Sequence, residues 1–259
     1  MRSAAIAAVA ALALSLGVVG PVVAAPCPGD SVASGTVCMD KYEASLWNVP
    51  PDQRRLIRRI QEGTVSLADL TAAGALQLGL VNGDLGANGC PITGNGCVNV
   101  YAVSIAGVTP ARFVTWFQAA AAARNSLKRL PTNQEWQVAA FGTPDGAPCN
   151  VGPGGSIADT GSAEGCVSDV GAFDMVGNAA ELVADWGDLA DFAECTTWSN
   201  DFGNDRSCVG GPGGGNSSHP GVVFRGGFWD AGSLAGVFTV LATLSPADST
   251  GSNGFRCVR

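Results

Sequence analysis

The nine cysteines have the widest choice of chemistry in this 259-residue chain, because a thiol can form a disulfide, bind a metal or attack a substrate. No two of them are spaced Cys-x2-Cys, so a thiolate metal cluster is the weaker interpretation. Pairing each cysteine with its nearest neighbour predicts four disulfides and leaves Cys257 over, although eight cysteines allow on the order of 100 connectivities. The predicted bridges are Cys27–Cys38, Cys90–Cys97, Cys149–Cys166 and Cys195–Cys208.

Other reactive side chains are few. His219 is the only histidine, which excludes metal sites that need two or three, and its Gly/Ser/Pro surroundings favour an exposed loop residue. Four arginines within 54–59 flank Leu56 and Ile60. They could bind an acidic ligand, but the pattern is more typical of a solvated helix face over an apolar stripe. The glycine-rich run 210–216 lacks the Lys-Ser/Thr end of a phosphate loop.

The first 25 residues have the pattern of a secretory signal, with Arg2, an apolar run over 4–19 and small residues at 22–25. The apolar run is shorter than the ~20 residues of a membrane-spanning helix. We therefore predict an exported protein, periplasmic or extracellular, with one domain over 26–259. Without this segment the net charge is about −9, which disfavours nucleic acid and anionic membranes as partners.

Local signals predict few and short regular elements. Capping boxes, in which a threonine and the third residue after it satisfy opposed backbone donors, predict helix starts at Thr115 and Thr132. The predicted helices cover 116–126, 133–140 and 67–76. The predicted strands cover 98–105, 222–229, 237–244 and 255–259. With 36 glycines, this predicts a loop-rich α+β fold with short, mostly antiparallel strands and a few short helices.

Four ordered blocks carry a family resemblance. They are Cys-Met-Asp-Lys-Tyr-Glu at 38–43, Lys-Arg-Leu-Pro-Thr-Asn-Gln-Glu-Trp at 128–136, Phe-Asp-Met-Val-Gly-Asn-Ala-Ala-Glu at 173–181, and a C-terminal block that opens with Phe-Arg-Gly-Gly-Phe-Trp at 224–229 and closes with Gly-Phe-Arg-Cys-Val-Arg at 254–259. The set resembles the formylglycine-generating enzyme family, also called sulfatase-modifying factors. The resemblance implies a C-type-lectin-like α+β fold and leaves residues 44–107 unplaced.

The resemblance implies calcium at the block 173–181. The family ligands there are an oxygen side chain, two backbone carbonyls and a glutamate, which suit calcium as hard oxygen donors. They correspond here to Asp174, the carbonyls of Gly177 and Ala179, and Glu181. The alternative is a turn in which Asn178 and Glu181 satisfy local backbone donors. A second implied site begins at Asn150 and the carbonyl of Val151, with Asp159 as the nearest further candidate.

The resemblance also implies that this chain lacks the family's copper-binding cysteines. Catalytic members carry a Cys-x4-Cys pair that binds copper, and those two positions hold Ala231 and Gly236 here. Reduced copper selects soft sulfur ligands, so we do not expect copper in this chain. Cys257 matches a family cysteine whose disulfide partner position holds Ala123. A buried free thiol is therefore expected at Cys257, with a reactive thiol as the alternative.

The favoured function is an exported, non-catalytic binding or accessory module, a pseudoenzyme supported by calcium and disulfides. Its unknown peptide or protein ligand would enter a groove between the Arg-Gly-Gly strand and the loops 203–220. The candidate binding residues are Arg225, Trp229 and Arg256. For the two arginines, the alternative is internal pairing with Asp185 or Glu181.

The second function is a copper-dependent oxidase that converts a sulfatase cysteine to formylglycine. It would need two cysteines from elsewhere in the chain, such as Cys195 and Cys208, to meet at the vacated positions.

Overall fold

A computed structural model describes residues 26–191, 193, 195–209 and 220–259. The predicted signal segment and His219 lie outside the described residues, as do positions 210–218. The helices are α1 (Arg54–Gln61), α2 (Leu67–Ala72), α3 (Asp84–Ala87), α4 (Trp116–Asn125) and α5 (Asn133–Ala140). The strands are β1 (Ser31–Ser34), β2 (Val37–Asp40), β3 (Ser45–Asn48), β4 (Leu76–Leu78), β5 (Val100–Val103), β6 (Ala180–Asp188), β7 (Thr196–Thr197), β8 (Arg206–Cys208), β9 (Pro220–Gly226), β10 (Gly236–Leu244) and β11 (Asn253–Phe255).

The strands form three sheets. The largest has the order β11-β6-β9-β10-β8-β7, and its central strands β6, β9 and β10 are antiparallel. Two of its pairs, β11 with β6 and β10 with β8, are parallel. A three-stranded antiparallel sheet has the order β4-β3-β5, and β1 pairs with β2 as a hairpin. Short, mostly antiparallel strands with a few short helices confirm the predicted loop-rich α+β fold class.

Both predicted capping boxes are present. Thr115 Oγ1 accepts the Gln118 N–H at 3.2 Å, and Gln118 Oε1 accepts the Thr115 N–H at 3.0 Å. Thr132 and Glu135 make the same reciprocal pair at the start of α5. These bonds are local, so each helix begins where its sequence signal predicts.

Several predicted ends are wrong. The strands predicted over 98–105 and 222–229 cover Val100–Val103 and Pro220–Gly226. The helix that begins at Leu67 stops at Ala72 instead of continuing to 76, because Gly74 adopts a left-handed φ of 69° and Leu76 already starts β4. The last strand covers Asn253–Phe255 instead of 255–259, and beyond it Val258 makes isolated bridges to Met39 and Arg129.

All four nearest-neighbour disulfides are confirmed. Each adds about 2–4 kcal/mol to stability, mostly by restricting the unfolded chain. Cys257 is free and buried, as expected. Burial raises the pKa of its thiol well above the ordinary value, although Lys128 acts in the opposite direction. The thiol is therefore not activated for nucleophilic attack.

A buried ion network joins the β1–β2 hairpin, Lys128 and Arg259. Lys128 Nζ lies 2.7 Å from Asp30 Oδ2 and 2.6 Å from Asp40 Oδ1, and its side chain is fully buried. Arg259 Nη1 adds a third contact, at 2.8 Å from Asp30 Oδ1. The hairpin β1–β2 is thereby held against the C-terminal segment.

The arginine-rich segment is a helix face, as the pattern indicates. In α1, Leu56 and Ile60 are buried, while Arg54, Arg55 and Arg58 are exposed.

Across the described ranges, no helix has both the length and the apolar character needed to traverse a bilayer.

Candidate functional site

The block 173–181 folds into a tight turn with three left-handed residues, Asp174, Gly177 and Asn178, at φ of 58°, 75° and 52°. A side chain at position 177 would overlap the carbonyl oxygen of Asn150, so only glycine fits this approach. The Asn178 N–H donates to the same carbonyl oxygen at 2.9 Å. The loop that starts at Asn150 is thereby fixed against the turn.

The side chain of Asn178 joins three segments. Its Nδ2 donates to Glu43 Oε2 at 2.6 Å and to the Ala158 carbonyl at 3.2 Å. Its Oδ1 accepts the Ala158 N–H at 2.9 Å and Asn150 Nδ2 at 3.0 Å. The amide therefore has a structural role, but its backbone donor, Ala158, lies 20 positions away and is not local as the turn alternative proposed. Glu43 was not predicted to take part, because it lies 135 residues away in sequence.

Glu181 is held by a buried arginine. Its Oε1 accepts Arg256 Nε at 2.8 Å and Nη2 at 2.6 Å, and its Oε2 accepts Trp136 Nε1 at 2.6 Å. Arg256 also donates to the carbonyl of Phe173 at 2.7 Å. Internal pairing of Arg256 with Glu181, the predicted alternative, is what the structure shows. The donors to Glu181 are side chains and not local backbone groups.

Arg225 is also buried, but it has neutral partners. Its Nε donates to the Thr239 carbonyl at 2.7 Å and its Nη2 to the Val237 carbonyl at 2.9 Å, and its guanidinium also contacts the side chains of Asn133 and Gln137. The guanidinium carbon lies 4.5 Å from the centre of the Trp136 ring. Burial lowers the pKa of Arg225 to about 10.

Pairing of Arg225 with Asp185 or Glu181 is wrong. Arg225 lies opposite Glu181 in the register of β6 and β9, yet its donors point to other groups. Asp185 accepts the Asn133 N–H at 2.6 Å instead. Of the three candidate binding residues, only Trp229 is partly exposed.

The surroundings of the turn carry surplus negative charge. The carboxyls of Glu43, Asp174 and Glu181 are buried around the single guanidinium of Arg256. Burial, together with the charges of Asp174 and Glu181, raises the pKa of Glu43 well above its ordinary value. Burial also raises the pKa of Asp174 to about 6. A bound cation would relieve this surplus.

The implied calcium ligands fit in part. The carbonyl oxygens of Gly177 and Ala179 accept no hydrogen bond from the described residues. Asp174 uses one carboxylate oxygen, which accepts the Gly161 N–H at 2.7 Å. Both oxygens of Glu181 are already bonded to Arg256 or Trp136. Over the described part of the chain, no three His, Cys, Asp or Glu side chains converge as a metal would require, so backbone oxygens would have to complete the coordination.

The residues of the second implied calcium site have separate partners. Asn150 Nδ2 donates to the Ser156 carbonyl at 2.9 Å, and the Val151 carbonyl accepts the Gly232 N–H at 2.9 Å. Asp159 Oδ1 accepts Thr109 Oγ1 at 3.0 Å. These contacts hold the loop but do not indicate a common ion.

A carboxyl group lies beside Gly236, one of the two positions that the resemblance assigns to the copper-binding cysteines. Gly236 is the first residue of β10 and lies opposite Gly226 of β9, while Ala231 precedes the short 3-10 turn Gly232–Leu234. A side chain at position 236 would overlap the carboxyl of Asp205. The space that a thiol would need is therefore filled, and sequence analysis did not identify Asp205.

The structure leaves no second free cysteine with which Cys257 could form a thiol pair. Cys195 and Cys208 are bonded to each other, and the one free cysteine, Cys257, follows β11. The sheet order places β6 and β9 between β11 and β10, so the two strands are about 14 Å apart. The oxidase function required two free cysteines to meet at the positions of Ala231 and Gly236, and the structure does not provide them.

No protein-family model and no curated protein matches the chain. Among solved structures, it is similar to the I1 variant of Major Tropism Determinant, at 22% identity and a TM-score of 0.42, over 57% of this chain and 38% of that one. It is also similar to CarF (16% identity, TM-score 0.41, 86% of this chain and 85% of that one). PvdO from Pseudomonas aeruginosa is similar at 16% identity and a TM-score of 0.40, over 86% of this chain and 80% of that one.

The chain spans 37–38% of the length of the tropism determinant variants. Similarity at these TM-scores does not indicate a function, so the function is inferred from the side chains of the site.

Proposed function

We propose that this chain is an exported, non-catalytic binding module on a sulfatase-modifying-factor, C-type-lectin-like scaffold, with a peptide or protein as its ligand. The observation that carries the proposal is the state of the catalytic position. Ala231 and Gly236 offer no thiol, and the Asp205 carboxyl fills the adjacent space. Alanine and glycine cannot supply the soft sulfur ligands that reduced copper selects.

Export is supported by two independent features. The first is the signal pattern over residues 1–25. The second is the set of four disulfides, which are typical of oxidising compartments and rare in the cytosol.

Calcium at the turn 173–181 is part of the proposal, supported by the surplus negative charge and by the free carbonyls of Gly177 and Ala179.

An aromatic surface over β10 and the β7–β8 segment is the proposed contact area. Trp198, Phe202 and Phe238 form a cluster with ring centres 5.1–6.3 Å apart, and Trp198 and Phe202 are 41% and 40% exposed. Clustered exposed apolar side chains mark interaction sites, and tryptophan is enriched among residues that dominate binding energy. The net charge of about −9 without the signal segment favours a basic partner. Arg225 and Arg256 are buried and would not touch the ligand, but Arg225 donates to the carbonyls of Val237 and Thr239 on both sides of Phe238 and would support this surface.

The catalytic question is tested with the mature chain, copper and a peptide that carries the sulfatase-type cysteine. We expect no mass change of aldehyde formation above the level of a serine-substituted peptide. Turnover of the cysteine peptide would refute the non-catalytic assignment.

The binding surface is tested by selecting ligands from a displayed peptide library and comparing two variants. Trp198→Ala removes the proposed contact, whereas Trp186→Ala removes a tryptophan of similar exposure (43%) from a different aromatic cluster. We expect affinity to fall about tenfold or more in the first variant and to be unchanged in the second. Equal affinities in both would exclude this surface.

A further inference from the structure

Asp205 carries an oxygen that nothing in the described structure satisfies. The residue is 1% exposed, and its Oδ2 accepts the Phe238 N–H at 2.6 Å. Its Oδ1 is buried and has no hydrogen-bond partner among the described residues. Buried polar atoms are nearly always bonded, so an unpartnered carboxylate oxygen requires an explanation.

A second carboxylate faces the same point. A Cβ built on Gly203 would overlap Asp145 Oδ2 and would lie 3.1 Å from Asp205 Oδ1. The two oxygens therefore converge beside Gly203, whose left-handed φ of 69° and missing side chain leave this space open. Asp145 is exposed, so the space has access to solvent.

The nearest cation does not neutralise this pair. Arg225 influences the Asp205 carboxyl electrostatically, but its hydrogen bonds go to carbonyls and to the side chains of Asn133 and Gln137, and none of them goes to Asp205. Burial is the main reason that the pKa of Asp205 rises to about 6, and the charge of Asp145 adds to it. Near pH 7.5 Asp205 is therefore mostly ionised, so a shared proton does not remove the repulsion.

We propose that Asp145 and Asp205 bind a divalent cation of the calcium class at the position vacated by the catalytic thiols. Two carboxylates balance its charge, and hard oxygen ligands select such an ion over copper. Backbone oxygens and water complete the coordination, since calcium takes six to eight oxygens.

The ion would brace the aromatic surface. Asp145 lies in the loop after α5, and Asp205 directly precedes β8. The carbonyl of Asp205 accepts the Trp198 N–H at 2.8 Å, and Phe202 ends the 3-10 turn directly before Gly203. A cation between the two carboxylates would fix both aromatic residues. The ion site does not depend on the proposed function, because its ligands are present whether or not a peptide binds.

The test is calorimetric titration of chelator-treated mature chain with calcium at pH 7.5. Asp145→Asn keeps size and shape at an exposed position, and Asp52→Asn is the matched control on the exposed approach to α1. Asp174→Asn isolates the other proposed calcium site. We expect Asp145→Asn to weaken one binding step about tenfold or more, while Asp52→Asn leaves it unchanged and Asp174→Asn does not affect that step.

Terbium luminescence locates the ion. Trp198 is expected to sensitise terbium at this site, whereas Trp136 can sensitise terbium at the turn 173–181. The part of the emission that Asp145→Asn removes should therefore also be lost in Trp198→Phe and retained in Trp186→Phe. Asp205→Asn should remove the same part of the emission. A calcium isotherm of Asp145→Asn that matches wild type would overturn the proposal, and so would Asp145-dependent emission that survives Trp198→Phe. If the chain binds no cation at Asp145 and Asp205 but still binds its peptide, the ion proposal is refuted and the proposed binding function is not.

Discussion

Substitution of Gly236 by alanine tests whether the Asp205 carboxyl fills the space beside Gly236. The new methyl group would overlap the Asp205 carboxyl. Gly236 has no left-handed φ, so backbone strain does not contribute and overpacking is the only cost. Overpacking of a buried position costs about 1–3 kcal/mol. We expect Gly236→Ala to lower the free energy of unfolding by that amount.

A double-mutant cycle assigns the cost to Asp205. Asp205→Ala alone loses the bond to the Phe238 N–H but removes an uncompensated buried charge. In the double variant the methyl group enters the vacated space, so the two effects are not additive. We expect a favourable coupling of at least about 1 kcal/mol.

Urea unfolding at pH 7.5 with chelator and intact disulfides provides the measurement. Gly187→Ala is the matched control, because Gly187 is a strand glycine whose added Cβ meets nothing within 4 Å. It should be neutral or slightly stabilising. The reasoning fails if Gly236→Ala is as stable as wild type, or if Asp205→Ala does not relieve its cost.

Three further predictions concern charge and calcium. Lys128→Met leaves Asp40 buried without its cation and Asp30 with Arg259 alone, and should cost about 3–5 kcal/mol in urea unfolding; a loss below 1 kcal/mol would contradict the network. Because burial raises the folded pKa of Asp174 to about 6, folding disfavours its ionised form, so without calcium the stability falls as pH rises from about 4 to 6. Asp174→Asn should therefore stabilise the calcium-free protein by about 1–3 kcal/mol at pH 7.5 and not at pH 4; a gain that is equal at both would refute the assignment. Finally, wild type should melt at a higher temperature in calcium than in chelator, and an unchanged midpoint would exclude a structural ion.

Sequence reasoning succeeded where the determining contacts are local. The helix starts at Thr115 and Thr132 depend on bonds to residues three positions away. The four disulfides join cysteines 7–17 positions apart, which nearest-neighbour pairing can find. The end of α2 depends on Gly74, a local signal that the prediction overlooked.

The site was predictable only in part, because its remaining contacts are distant in sequence. The pairing of Arg256 with Glu181 joins positions 75 apart and was proposed only as an alternative. The bond from Asn178 to Glu43 spans 135 positions and was not foreseen. Asp205 reaches Gly236 because β8 runs parallel to β10, and parallel pairing leaves no turn signal in the sequence.

The absence of a reactive thiol pair is tested most directly by thiol titration with a chromogenic disulfide reagent. The account predicts that the native chain releases no colour, because Cys257 is buried and every other cysteine is bridged. In denaturant without reductant, one thiol per chain should react. Two or more thiols that react in the native protein would contradict the non-catalytic assignment.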